Sequence, residues 1–299
     1  MKKVDPKEYW MKYRKLSYLL VLLAFFFAHS AYAESSVWKV VKGENHLFIG
    51  GTVHMLSQSD YPLPPEFEKA YSRSEKLVFE TDMLKLKTQE FQEEVLKKMV
   101  YTDGRNLKMV LSEGMYQELE QHLLSRGVPI ANLINFKAGA VAITLVVIEM
   151  QRLGIVAKGV DDFYSSKALR DQKELGELET IDEQLELISR LGEGQEDELI
   201  ADALRDINEM PDKWPLIKEA WRHGDYSELA EVIVAPMKKD FPELYNELVV
   251  KRNNAWVPKI EAMLKTKDVE FVLVGALHLI GDDGVLAQLA ARDYEIQKL

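Results

Sequence analysis

Apolar residues fall into short unbroken runs near the two ends of this chain and into three- and four-residue spacing between them. In "SVWKVVKGENHLFIGGTVHML" the stretch Trp38 to Val41 alternates, "KGEN" supplies a turn and His46 to Gly50 makes a return strand, which predicts a hairpin. "YPLPPEF" opens a helix from Pro64 to about Ser74, because proline fits the first turn of a helix and not its interior. "EKLVFETD" is a second short strand that ends on Glu80. "VEFVLVGALHLI" is the last strand, followed by a helix through "DGVLAQLAARDYEI".

The long middle is helical. "TQEFQEEVLKKMV", "SEGMYQELEQHLLSRG" and "FKAGAVAITLVVIEMQRLG" carry helical spacing, with Gly127 and Gly154 as stops. The third is apolar nearly all round, the mark of a buried helix. "IVAKGVDDFY" reads as a strand running into Asp161 and Asp162. "ELETIDEQLELISRLGEGQEDELIADALRDI" is the clearest amphipathic stretch, "MPDKWP" marks a break, and "LYNELVVKRNNAWVPKIEAML" closes the region. The expected architecture is α/β: a central mixed β-sheet built from N- and C-terminal strands, with a long, mostly helical insertion over about residues 85–264.

Composition narrows the class. At 47% hydrophobic and 29% charged residues the chain has ordinary globular material, which argues against disorder, a coiled coil or many membrane spans. The first 33 residues differ from the rest: a basic "MKKVDPKEYWMKYRK", an apolar "LSYLLVLLAFFF" and "AHSAYA" have the three parts of a secretory signal cut after Ala33. An uncleaved anchor is the alternative, since Leu16 to Ala33 approaches a bilayer's thickness. Residues 34–299 then form a single domain. The removed segment holds six Lys or Arg and two acids, so the net charge moves from −11 to −15. That acidity, with no basic cluster, argues against nucleic acid and against an anionic membrane surface as partners. There is no cysteine, which excludes thiolate nucleophiles, disulfides and Cys-rich metal sites and suits a bacterial periplasm.

Two stretches of the chain match each other. "LFIGGTVHML" and "FVLVGALHLI", aligned on Gly51 and Gly275, both read as an apolar run, a glycine, two residues and a histidine. His46 also follows a glycine by three, in "GENH", so the spacing alone is weak. His54 and His278 differ because each follows a buried strand, where α/β sheets present ligand sites at strand carboxyl ends. The bland alternative is two core histidines bonded to backbone carbonyls. Glu80 adds a carboxylate after three apolar residues, costly unless paired with an arginine such as Arg73, Arg105 or Arg252 or bound to a cation. Two neutral imidazoles and a carboxylate form a recognised set for a divalent metal with open positions. His54, His278 and Glu80 are therefore candidate metal ligands, with Glu80 also a candidate catalytic group. Such a metal activates water without a Ser or Cys nucleophile. Arg252, in "KRNNAWVP", is a candidate to stabilise an oxyanion or bind a substrate carboxylate.

The ordered set "LFIGGTVHML…YPLPPEF…LVFETD", "LETIDEQ", "KRNNAW" and "VLVGALHL" resembles the TraB/GumN family, related to the animal Tiki proteins and more remotely to ChaN-like and erythromycin-esterase-like folds. The resemblance covers about Val37 to the end. It implies a metal-dependent protease-type activity on a peptide or protein, with manganese or cobalt ahead of zinc or iron. It adds Asn253 beside Arg252 as a catalytic candidate, and places Asp161 in "GVDDFY" and Glu179 in "ELETIDEQ" as outer supports of the site. The leading expectation is an exported metallopeptidase-like hydrolase. Its rivals are a metal-free esterase-like hydrolase in which one histidine is base or nucleophile and Glu80 orients it, and a non-catalytic protein that binds a peptide or metal chelate.

Overall fold

The structure is a computed structural model that describes residues 35–299; the signal segment expected at 1–33 lies outside the described residues. Eight strands are present among these: β1 (Val37–Lys42), β2 (Asn45–Thr52), β3 (Met55–Leu56), β4 (Lys76–Phe79), β5 (Ala157–Lys158), β6 (Glu174–Glu177), β7 (Glu270–Gly275) and β8 (Glu295–Lys298). Six of them form one mixed sheet in the order β6-β4-β7-β2-β1-β8. β6, β4, β7 and β2 run parallel, whereas β1 is antiparallel to both β2 and β8. The fold is α/β, with the N-terminal hairpin and the last long strand joined at the centre of the sheet.

The unbroken apolar runs are explained by burial on both faces. Along β7, Phe271 and Leu273 enter one core while Val272 and Val274 enter another. β4 alternates in the same way, with Leu77 and Phe79 on one side and Val78 on the other. The first face is covered by the helices Pro65–Arg73 and Val160–Arg170, through Phe67, Tyr71 and Tyr164, together with Trp221. The second is covered by the helices Lys251–Met263 and Val285–Ala290, through Trp256, Val257, Ile260, Val285 and Leu289. The inserted helices Glu113–Ser125, Ala138–Arg152 and the first half of Glu196–His223 pack on a core of their own, around Leu119, Leu123, Val141, Leu145 and Leu204. No helix among the described residues is long and apolar enough to cross a membrane.

Four local expectations differ from what the chain does. "IVAKGVDDFY" is not a strand: β5 is two residues long, and the chain turns at Gly159 into the helix Val160–Arg170. Gly159 makes that turn possible, since a Cβ there would stand 2.3 Å from the carbonyl carbon of His54. "MPDKWP" does not break its helix, which runs from Glu196 to His223 through Pro211 and Pro215. Each proline costs such a helix about 3 kcal/mol, and burial at its two ends, of Ile200, Leu204 and Ile207 in one core and Trp221 in another, offsets it. Two edge strands, β6 and β8, were hidden in sequence read as helix, because "ELGE" and "EIQK" are short and polar. Finally, the helix Ala138–Arg152, apolar nearly all round, is only half buried: Ile143 is 41% exposed.

Candidate functional site

The site stands at the carboxyl edge of the four parallel strands, and each strand delivers one side chain to it. In sheet order Glu179 follows β6, Glu80 follows β4, His278 follows β7 and His54 follows β2. The two glycine–histidine stretches meet because β2 and β7 are neighbours, with Gly51 opposite Val274 and Thr52 opposite Gly275. His278 sits in a single helical turn, Ala276–Leu279, directly after its strand. Arg252 and Asn253 come from the first turn of the helix Lys251–Met263, entered through a π-helical turn at Asn246–Val250. Asp161 comes from the first turn of Val160–Arg170.

Both histidines are held in the same way. His54 Nδ1 lies 2.9 Å from Asp161 Oδ2, and Thr52 Oγ1 donates to Asp161 Oδ1 over 2.8 Å. His278 Nδ1 lies 2.8 Å from Asn253 Oδ1. The Asn253 amide nitrogen donates to the carbonyls of His278 and Asp283, which leaves its oxygen to accept. Each ring therefore carries a hydrogen on Nδ1, and the neutral His278 keeps its lone pair on Nε2, an assignment that follows from the network. The surroundings differ. Burial is the main force lowering the His278 pKa, to about 4, so the ring is neutral at physiological pH. His54 has a side chain 69% exposed, and the Asp161 charge raises its pKa, with water screening part of that pull.

Glu80 is buried and stays ionised. Burial works against its charge, but the facing His278, Arg252 and His54 outweigh it and hold the carboxyl at about 2. Its Oε1 accepts from the Gly275 N–H over 2.7 Å; its Oε2 accepts from Arg252 Nη2 at 2.6 Å and Gln184 Nε2 at 3.3 Å. Arg252 also reaches Glu179 through Nε and Nη2, the Leu248 carbonyl and, at 3.0 Å, His278 Nε2 through Nη1. A guanidinium has five N–H donors, and all five are engaged here. Arg252 is thus a clamp between two carboxylates and an imidazole, with no donor left to receive an oxyanion. Glu179 is pushed the other way from Glu80: burial raises its pKa against the bonds from Arg252 and Trp256.

The donor types fit a divalent cation. Metal-binding histidines commonly anchor the second ring nitrogen on an oxygen acceptor, as both do here. His54 Nε2 and Glu80 Oε1 face the bare Cα of Gly275: a Cβ at that glycine would stand 3.7 Å and 3.1 Å from them. Gly51 differs from its counterpart, because a Cβ there would stand 2.0 Å from the buried hydroxyl of the partly buried Tyr226. Among the described residues no three His, Asp or Glu side chains close on one point. Arg252 holds the His278 lone pair that a third ligand would supply.

Eight of the nine residues singled out in the sequence lie in this assembly, the ninth, Gly51, facing Tyr226 instead, and three more join them. Thr52 and Trp256 were already inside quoted stretches but carried no chemical signal. Gln184 lies in "LETIDEQ", one position past the capping box of Thr180 and Glu183, which sets the helix start and so its direction. A family model described as the TraB/PrgY/gumN family matches residues 36–298. No curated protein and no solved structure matches the chain.

Proposed function

The chain belongs to the TraB/PrgY/gumN family, and from its site we propose an exported hydrolase of peptide bonds that works with a divalent cation, manganese or cobalt ahead of zinc or iron. The observation that carries this reading is the paired anchoring of His54 and His278 through Nδ1, which leaves both Nε2 atoms for a ligand beside an ionised Glu80, with a cation displacing the proton that Asp161 favours on His54. His54 and Glu80 would hold the cation over Gly275, with His278 joining them when it leaves Arg252. When bound, such a cation brings the pKa of a coordinated water towards neutrality and polarises a carbonyl. Asp161 and Asn253 orient the rings. Arg252 keeps Glu80 ionised, and Gln184 fixes its second oxygen. The basic, apolar and small-residue parts of residues 1–33 and the absence of cysteine support export to a periplasm.

One observation favours a second reading. With His278 Nε2 bonded to Arg252, the exposed His54 and the buried Asp161 that orients it form a proton-transfer pair of the kind metal-free acid–base hydrolysis uses. Elemental analysis of protein purified without chelator decides between them, beside His54→Ala and His278→Ala. About one equivalent of metal in the wild type, lost in both variants, supports the metal-dependent reading. Metal-free protein that cannot be reconstituted yet cleaves a peptide library supports the second. Metal or peptide bound without turnover under any condition leaves a binding protein.

A further inference from the structure

The helix Ala138–Arg152 carries more apolar surface than its neighbours cover. Val141, Ala142 and Leu145 enter the core of the insertion, while Ile143, Val146, Val147 and Ile148 remain wholly or partly open. A groove lies on each side of it. The first, about 460 Å³, is bounded by the helices Gln89–Met99 and Ile181–Ser189 and lined by Phe91, Val95, Leu96, Met99 and Leu185. The second, about 540 Å³, is bounded by the helices Glu196–His223 and Ala235–Asp240 and lined by Met150, Met210, Trp214, Met237 and Phe241. Ile143 lines both.

Two features say what would fill them. The first groove ends on the candidate site, because Gln184 lines it and donates to Glu80 Oε2. The second has Asp202, Asp206 and Asp240 on its wall, against Arg205 and Lys213. Arg205 is held by Asp202 and Lys213 by Glu209, and Asp206 forms no ion pair among the described residues. That rim repels a fatty carboxylate or a lipid phosphate and attracts a cation. Methionine-rich apolar walls adapt to varied side chains. We propose that the two grooves form one binding surface for an extended, apolar polypeptide segment bearing a basic residue, apolar side chains seated in the first groove and the basic residue beside Asp206 in the second.

This names the substrate class for the hydrolase reading and rests on that reading only for its catalytic consequence; binding is measured apart from turnover. The probe is a short fluorescent peptide of Leu, Phe and Ser with Lys, titrated by anisotropy into full-length protein in a His54→Ala background that blocks cleavage. Ile143→Glu is expected to weaken binding about ten-fold or more, the loss of an apolar side chain that the bound peptide would cover, with an unchanged melting temperature. Replacing the peptide's Lys by Glu is expected to weaken it as well, and Asp206→Asn to narrow the difference between the two peptides. The proposal is overturned if no peptide of the set binds, if Ile143→Glu binds as the parent does, or if Lys and Glu peptides bind alike. Displacement of the peptide by dodecanoate at equal concentration would also overturn it, in favour of a lipid. Peptide binding without cleavage in the His54-containing protein would remove the hydrolase reading alone. Cleavage of polar peptides insensitive to Ile143→Glu would remove the groove alone.

Discussion

Arg252 Nη1 stands 3.0 Å from His278 Nε2, while its Nη2 donates to Glu80 at 2.6 Å and to Glu179 at 2.7 Å. One planar group thus holds three others that arrive from three different strands. A lysine cannot do this, since it offers a point charge on a flexible stem in place of a rigid fork. Arg252→Met leaves two buried carboxylates unpaired and is expected to cost about 3–5 kcal/mol in urea unfolding. Arg252→Lys should fall between that variant and the wild type. Wild-type stability in Arg252→Lys would show that the charge alone matters and the fork does not.

The two motif glycines, alike in sequence, should fail in different ways. At Gly51 a methyl group meets the Tyr226 hydroxyl, whose ring is packed against Trp38, so Gly51→Ala should destabilise by about 1–3 kcal/mol through overpacking. Adding Tyr226→Phe removes the colliding oxygen and should restore part of the loss, a coupling that a double-mutant cycle reads directly. At Gly275 the methyl enters the space faced by Glu80 and His54. Gly275→Ala should therefore keep nearly the wild-type melting temperature while losing metal retention and turnover. Equal unfolding of both variants would remove the distinction.

How much of this was legible in the sequence depends on which interactions set each element. The apolar runs of β2, β4 and β7 identify themselves because both sheet faces are covered, and their order in the sheet brings His54, Glu80 and His278 together. The pairing of His54 with Asp161 was not legible. It depends on Gly159 letting two backbones touch, and the same glycine ends the run that reads as a strand. Pro211 and Pro215 mislead for the opposite reason: local preference predicts a break, and burial of both helix ends overrides it. β6 could be placed only by its neighbour, since it pairs with β4 through backbone bonds that polar residues make as well as apolar ones.

Glu149 tests stability away from the site. It is 1% exposed and accepts from Arg152 and Arg126. The bond from Arg152 is the main cause holding its pKa below the ordinary 4.5, and burial opposes it. A carboxyl with a lowered native pKa contributes stability that is present above its unfolded value and lost as pH falls through the native one. Glu149→Gln should therefore cost about 1–3 kcal/mol near neutral pH, with Arg152 half exposed and partly screened. The gap to the wild type should close in urea titrations taken below the ordinary carboxylate range. A gap that does not change with pH would assign the loss to shape alone.

Asn253 gives the most direct reading of how His278 is set. Its amide nitrogen ties down two backbone carbonyls, and its oxygen takes the Nδ1 hydrogen of the ring. Burial then keeps the imidazole neutral, with a pKa near 4 against an ordinary 6.5. Because the unfolded chain takes up this proton first, the contribution is present in full above 6.5 and is lost as pH falls towards 4. Asn253→Asp places a second carboxylate against the same nitrogen, and a carboxylate favours the charged ring. Long-range nitrogen–proton spectra of the wild type should show a neutral His278 with its hydrogen on Nδ1 through the physiological range. In Asn253→Asp the ring should titrate at clearly higher pH, and a His278 protonated on Nε2 has no lone pair for a ligand. A wild-type ring with its hydrogen on Nε2 would overturn the paired anchoring of the two histidines, and with it the observation on which the metal-dependent reading stands.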